Sequence, residues 1–186
     1  MPLADALRTV GPVSFPDRED KGLAHFLCRA VVGQQLSTKA ASSIWARVES
    51  AASLAGHDIP QFFHDDCVDA LRACGVSGNK IKALRCLRDA ERDGLLHGQT
   101  LRRLDHDGRS QRLLAIWGVG QWTCDMASIF YCRAADVWPE GDLAVQKTFG
   151  RLIGRRKPAK AALRFAPFRS YLALSMWKIV NAVPKR

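Results

Sequence analysis

Apolar residues recur at spacings of three and four through almost the whole chain, and alternating apolar and polar residues are nowhere sustained. That pattern constrains the fold more than any other feature, because a helix presents one face every 3.6 residues and a strand every two. Leu23, Phe26, Leu27, Ala30 and Val31 mark one helix face. Ser37 is placed to cap the next helix, which turns Ala40, Ala41, Ile44 and Val48 inward. Val68 and Leu71 begin a short helix that stops at Gly75. Ile81, Leu84 and Leu87 lie along a basic helix ending at Gly94. A short helix over Ser110–Ala115 runs into a Gly turn, and Gln121–Arg133 forms the next helix. Asp142 can cap another helix through Ile153, and Pro158 suits the first turn of a further one. Phe168, Leu172 and Met176 should set the last helix against the core. The expectation is an all-α fold in two lobes.

Charge narrows the class of partner. The 186 residues carry 28 Lys and Arg against 18 Asp and Glu, a net charge of +10. A surplus of that size favours a polyanion, because a basic surface gains free energy by releasing the counterions of phosphates. A merely soluble basic protein is the plainer alternative. The six cysteines, at positions 28, 67, 74, 86, 124 and 132, form no C-x-x-C pair, which gives a structural zinc site no support. Their apolar contexts suit a reducing compartment. The N-terminus lacks a basic segment followed by an apolar run, and no stretch approaches the roughly 18 apolar residues of a membrane span, so a soluble protein that stays inside the cell is expected.

Two segments carry chemistry. In Leu113–Thr123 a helix ends, Gly118 and Gly120 make a tight turn, and a second helix begins. Glycines there permit positive φ and a close approach of another backbone. The N–H groups of the turn and of the new helix then form an anion site that grips phosphate without reading bases. The alternative is a simple turn between helices. Farther on, Pro139 and Gly141 mark a turn in Asp136–Val145, and Asp142 opens a helix. Taken alone, Asp142 is as well explained as an N-cap.

Together these blocks resemble the helix-hairpin-helix DNA glycosylases that end in a Gly/Pro-rich loop and a catalytic Asp, most of all 3-methyladenine DNA glycosylase II of the AlkA type. Ala30–Ser37, Gly75–Ser77 with Lys80, Ile116–Thr123 and Asp136–Phe149 carry the resemblance in order, supported by Pro167–Tyr171 and Trp177. It implies one helix-hairpin-helix glycosylase domain over residues 1–186. The central lobe would run from about 22 to 130, residues 1–21 and 131–186 would build the second lobe, and the active site would lie in the cleft between them.

The implied reaction is monofunctional hydrolysis of the N-glycosidic bond of alkylated purines, such as 3-methyladenine or 7-methylguanine, in duplex DNA during base excision repair. Asp142 falls where the family keeps its essential carboxylate, suited to an oxocarbenium-like sugar. Trp122 falls where bifunctional relatives carry a nucleophilic Lys, and indole cannot form a Schiff base, so no lyase activity is implied. Trp122, Met126 and Trp177 match positions lining the base pocket, where an indole face suits a cationic base. Core packing explains either Trp equally well. Met126 stands where the AlkA type has an aromatic, which bears on substrate range. Gln35 aligns with the residue that fills the gap left by the extruded nucleotide, or is a polar turn. Gly118, Gly120, Gln121 and Thr123 would contact the DNA backbone.

The carbonyls of Leu114, Ile116 and Val119 match positions that hold a monovalent cation, Na+ or K+, between hairpin and phosphate. No cofactor is required, and with no Cys after Cys132 no iron–sulfur cluster of the endonuclease III kind is expected. The AlkA type has an additional N-terminal domain for which this chain has no room. The implied protein is a monomer acting on double-stranded DNA, with no membrane partner, in the cytoplasm or nucleoid of a bacterium or the nucleus of a eukaryote. Two alternatives stay open: a sister glycosylase for mismatched, deaminated or oxidised bases, and a non-catalytic helix-hairpin-helix DNA-binding module.

Overall fold

A computed structural model describes residues 2–16, 21–154 and 157–182. Among the described residues there are eleven α-helices and no strand. They are α1 Leu3–Val10, α2 Gly22–Gly33, α3 Thr38–Leu54, α4 Val68–Ala73, α5 Gly78–Arg92, α6 Gly98–Arg103, α7 His106–Leu114, α8 Gln121–Met126, α9 Leu143–Ile153, α10 Pro158–Ala162 and α11 Arg169–Ala182. None is long and apolar enough to cross a membrane. The chain divides into two compact units, one of Met1–Arg18 with Ser128–Arg186 and the other of Glu19–Ala127. The lobe boundary expected near residue 21 adjoins residues 17–20, which lie outside the described residues.

In the unit of Glu19–Ala127, α2 packs on α3 and α5, and α7 pairs with α8. Leu27, Val31, Leu71, Leu84, Leu87 and Leu113 are fully buried, as the helical periodicity requires. Ser37 caps α3 by accepting the Ala40 N–H at 3.2 Å. Gly75 and Gly94 follow α4 and α5 with φ of +92° and +73°, the left-handed conformation that closes a helix at little cost in glycine. Phe62 and Phe63, in the connection after α3, are fully buried although no periodicity announces them.

The other unit packs α1, α9 and α11 together around Ala6, Val145, Phe149, Ala162, Leu172 and Met176. Three sequence expectations shift. The helix expected from Ser110 begins at His106, because Asp105 caps it by accepting the Gly108 N–H at 2.8 Å. The helix expected to run to Arg133 passes into a π-helical turn over Ala127–Tyr131, and Arg133 lies beyond it at φ +55°. Phe168 is 60% exposed, and it is Leu172 and Met176 that reach the core. Helix α6 has a single apolar residue, Leu101, too few to stand out in the sequence, whereas α1 is amphipathic, with Leu3, Ala6, Leu7 and Val10 turned to the core.

Candidate active site

The hairpin is built from α7, a turn and α8, all in the unit of Glu19–Ala127. Ile116 accepts the Val119 N–H at 3.1 Å, and Gly118 between them takes φ +86°. A Cβ on Gly118 would come within 2.3 Å of the Ala83 Cβ of α5, far inside contact distance, so this glycine serves both conformation and close packing. Gly120 differs from the expectation of positive φ: it is extended, at φ −102°, because it is the N-cap of α8. Space above it is open to 4 Å from where a Cβ would stand. The Gly120 carbonyl accepts the N–H groups of Thr123 and Cys124, which starts α8.

Side chains expected at the DNA surface divide. Gln121 turns along its own helix, donating to Asp125 at 2.9 Å and to Ser110 of α7 at 3.3 Å, which staples the hairpin helices together. His106 of α7 also reaches the buried Asp125 carboxylate, at 3.2 Å. Thr123 is only 1% exposed, and its hydroxyl accepts from Gln34 at 3.1 Å, so its side chain braces the hairpin from inside. Trp122 and Met126 stand one turn apart on α8 and therefore share a face, with Trp122 half-buried and Met126 buried. Between them Cys124 is buried. Burial first, and the adjacent Asp125 second, push its thiol up to about 12, which leaves no thiolate to act as a nucleophile.

Gln35 occupies the turn between α2 and α3, exposed, at φ +58°. Left-handed backbone is uncommon outside glycine and persists where its surroundings fix it. The residue before it does the fixing. Gln34 donates to the Gly118 carbonyl at 3.2 Å as well as to Thr123. Lys80 of α5 donates to the carbonyls of Val32 and Gln34, both at 2.8 Å. Sequence reasoning noted Lys80 without giving it a role and passed over Gln34. The only signal was position, because a Gln–Gln pair does not say which residue turns inward.

Asp142 lies in the other unit as the N-cap of α9. Its Oδ1 accepts the Val145 N–H at 2.9 Å, which sets the rotation of the carboxylate at the positive end of the helix dipole. The approach to it is stitched to the start of α11. Asp136 takes a two-pronged ion pair from Arg169, at 2.6 and 2.9 Å, and also accepts the Arg169 N–H at 3.2 Å. Ser170 accepts the Val137 N–H at 2.9 Å, and its own N–H bonds the Ala135 carbonyl. The Arg169 guanidinium hydrogen-bonded to Asp136 holds that carboxyl below its ordinary value. Trp177 of α11 stacks on Phe130 with ring centroids 5.3 Å apart. Lys147 is exposed on α9.

Among the described residues no group of three or more His, Cys, Asp or Glu could hold a metal. The carbonyls of Leu114, Ile116 and Val119 are of another kind. Leu114 ends α7, where helix carbonyls lack intrahelical partners, and Val119 lies in the turn just ahead of the Gly120 N-cap of α8. Ile116 keeps one lone pair beside its bond to Val119. Such oxygens suit a hard monovalent cation.

No family model matches this chain. DNA-3-methyladenine glycosylase 1 of Schizosaccharomyces pombe is 34% identical to it over 159 residues, covering 82% of this chain and 70% of that protein. The chain belongs to the 3-methyladenine DNA glycosylase family. Its fold agrees with that of solved members. The S. pombe 3-methyladenine DNA glycosylase, solved in complex with abasic DNA, superposes with a TM-score of 0.83 at 30% identity, over 94% of this chain and 89% of that one. A DNA-3-methyladenine glycosidase from Bacillus halodurans gives 0.79 at 29% identity, over 97% and 84%. Hydrolysis of the N-glycosidic bond and removal of alkylated bases are the activity of this family glycosylase.

Proposed function

We propose that the chain releases alkylated purines from duplex DNA by water-dependent hydrolysis, with Asp142 as the catalytic carboxylate and without cutting the strand. The observation that carries the reading is the Asp142 carboxylate at the start of α9, its Oδ1 fixed by the Val145 N–H. Breaking the C1′–N bond leaves its electron pair with the departing base, and the sugar gains oxocarbenium character. A carboxylate held in one rotamer stabilises that cation without reorganising. Water then adds its oxygen to C1′ and gives up a proton, leaving an abasic site. An alkylated purine already carries positive charge, so it departs without a strong acid, and the indole of Trp122 or Trp177 suits such a base.

The hairpin turn supplies the phosphate grip, from the N–H groups around Gly118 and Gly120. A Na+ or K+ ion on the Leu114, Ile116 and Val119 carbonyls would add a positive charge facing the same phosphate. Gln35, exposed on a rigid turn, fills the place of the extruded base.

Duplexes carrying single defined lesions test the reading. Wild-type protein is expected to release 3-methyladenine or 7-methylguanine and to yield strand breaks only after alkali. Borohydride added during turnover should trap no covalent adduct, because position 122 offers no amine. A trapped protein–DNA adduct would overturn the monofunctional assignment. Release confined to mispaired pyrimidines or oxidised purines would overturn the substrate.

A further inference from the structure

Helix α5 touches both DNA-facing turns of its unit. Ala83 receives the bare face of Gly118, and Lys80, one turn earlier on the same side of α5, reaches the end of α2. The Lys80 ammonium donates to two carbonyls at 2.8 Å, Val32 and Gln34, where α2 has run out of intrahelical donors. Gln34 then spans from that turn to the Gly118 carbonyl and the Thr123 hydroxyl. The chain of contacts is continuous, from α5 through the Gln35 turn to the hairpin. It encloses Gln35, a non-glycine residue whose left-handed backbone needs outside support.

We propose that Lys80 and Gln34 are positioning residues that lock the Gln35 turn to the hairpin, so that the side chain filling the vacated base site and the phosphate grip act as one rigid piece. The inference rests on the reading of Gln35 given above. Two further observations support it. Burial pushes the Lys80 ammonium below its ordinary value, as expected of a side chain partly withdrawn from water. Gln34 uses both amide protons on the hairpin, so its direction is set while Gln35 points outward. A side chain that must displace a paired base gains from a fixed origin, because mobility would dissipate the contact when extrusion is most costly.

The test compares single-turnover release of 7-methylguanine placed opposite cytosine with the same lesion opposite an abasic-site analogue. Gln34→Ala and Lys80→Met are each expected to slow the paired substrate by about tenfold more than the unpaired one, since extrusion costs a few kcal/mol less when pairing is absent. Affinity for undamaged duplex should stay near wild type. On a Gln35→Ala background neither substitution should add to the loss on the paired substrate, because all three act through one side chain.

If Lys80→Met fails to fold, Gln34→Ala decides, since it removes two hydrogen bonds and leaves the Lys80 ammonium in place. Equal slowing of both substrates by Gln34→Ala, or losses that multiply with Gln35→Ala, would overturn the positioning role while leaving Gln35 intact. A Gln35→Ala variant that does not distinguish the substrates would overturn the reading of Gln35 and the proposal with it.

Discussion

Asp142 combines a capping role with the catalytic role proposed for it, and one substitution can separate the two. Its Oδ1 caps α9, and its charge is what an oxocarbenium-like sugar requires. Asn caps a helix about as well as Asp, so Asp142→Asn should melt within about a degree of wild type. Base release should fall by roughly 10²–10³-fold, the scale seen when one preorganised electrostatic group is lost. Asp142→Ala should lose the same activity and in addition about 1 kcal/mol of stability. Wild-type release by Asp142→Asn would end the catalytic assignment. The two hairpin glycines make a second contrast at this scale. Gly118→Ala meets Ala83 at 2.3 Å and a φ of +86°, and should cost more than about 1 kcal/mol in urea unfolding. Gly120→Ala meets open space at an ordinary φ and should cost only the preference for Gly over Ala at an N-cap, with no added strain or clash.

Among the elements, Gly120 is at once the N-cap of α8 and the centre of the proposed phosphate grip. Asp is a better cap than Gly, so Gly120→Asp should leave stability unchanged or slightly raised while placing a negative charge where a phosphate approaches. Electrophoretic shifts should show weaker binding to every duplex, damaged or not. Loss confined to damaged DNA would mean that the turn reads the lesion and not the backbone.

The loop leading to Asp142 depends on the Asp136–Arg169 pair in a similarly local way. Arg169 lowers the Asp136 value in the folded state, while the unfolded value is about 3.9. The stabilisation is therefore complete above the unfolded value and is lost as pH falls through the lower, folded one. Urea unfolding should find Asp136→Asn less stable than wild type at about pH 6, with the difference shrinking below about pH 4. A difference independent of pH would show that the carboxylate charge contributes nothing.

For the molecule entire, the net charge of +10 and the proposed backbone grip predict affinity dominated by phosphates. Log affinity for duplex should fall linearly with log salt, and the slope should be nearly the same with and without a lesion. Affinity that stays flat between low and moderate salt would contradict a DNA-binding role altogether.

Helical class, caps and hairpin are legible in the chain alone, because each is local. Periodicity, a Ser or Asp before an apolar run, and Gly after one act within a single turn of backbone. Ser37, Asp142, Gly75 and Gly94 stand as those local rules require. The family was legible for the same reason: its motifs are short and contiguous. Long-range packing settles which way side chains point when two directions are locally equal. It turned Gln34 inward and left Gln35 outside, set Lys80 against carbonyls 46 and 48 residues away, and buried Thr123 beneath Gln34. It also joined Asp136 to Arg169 across 33 residues. These pairings depend on which helices come to lie side by side, a global packing outcome that carries no periodic signal in either partner's own segment.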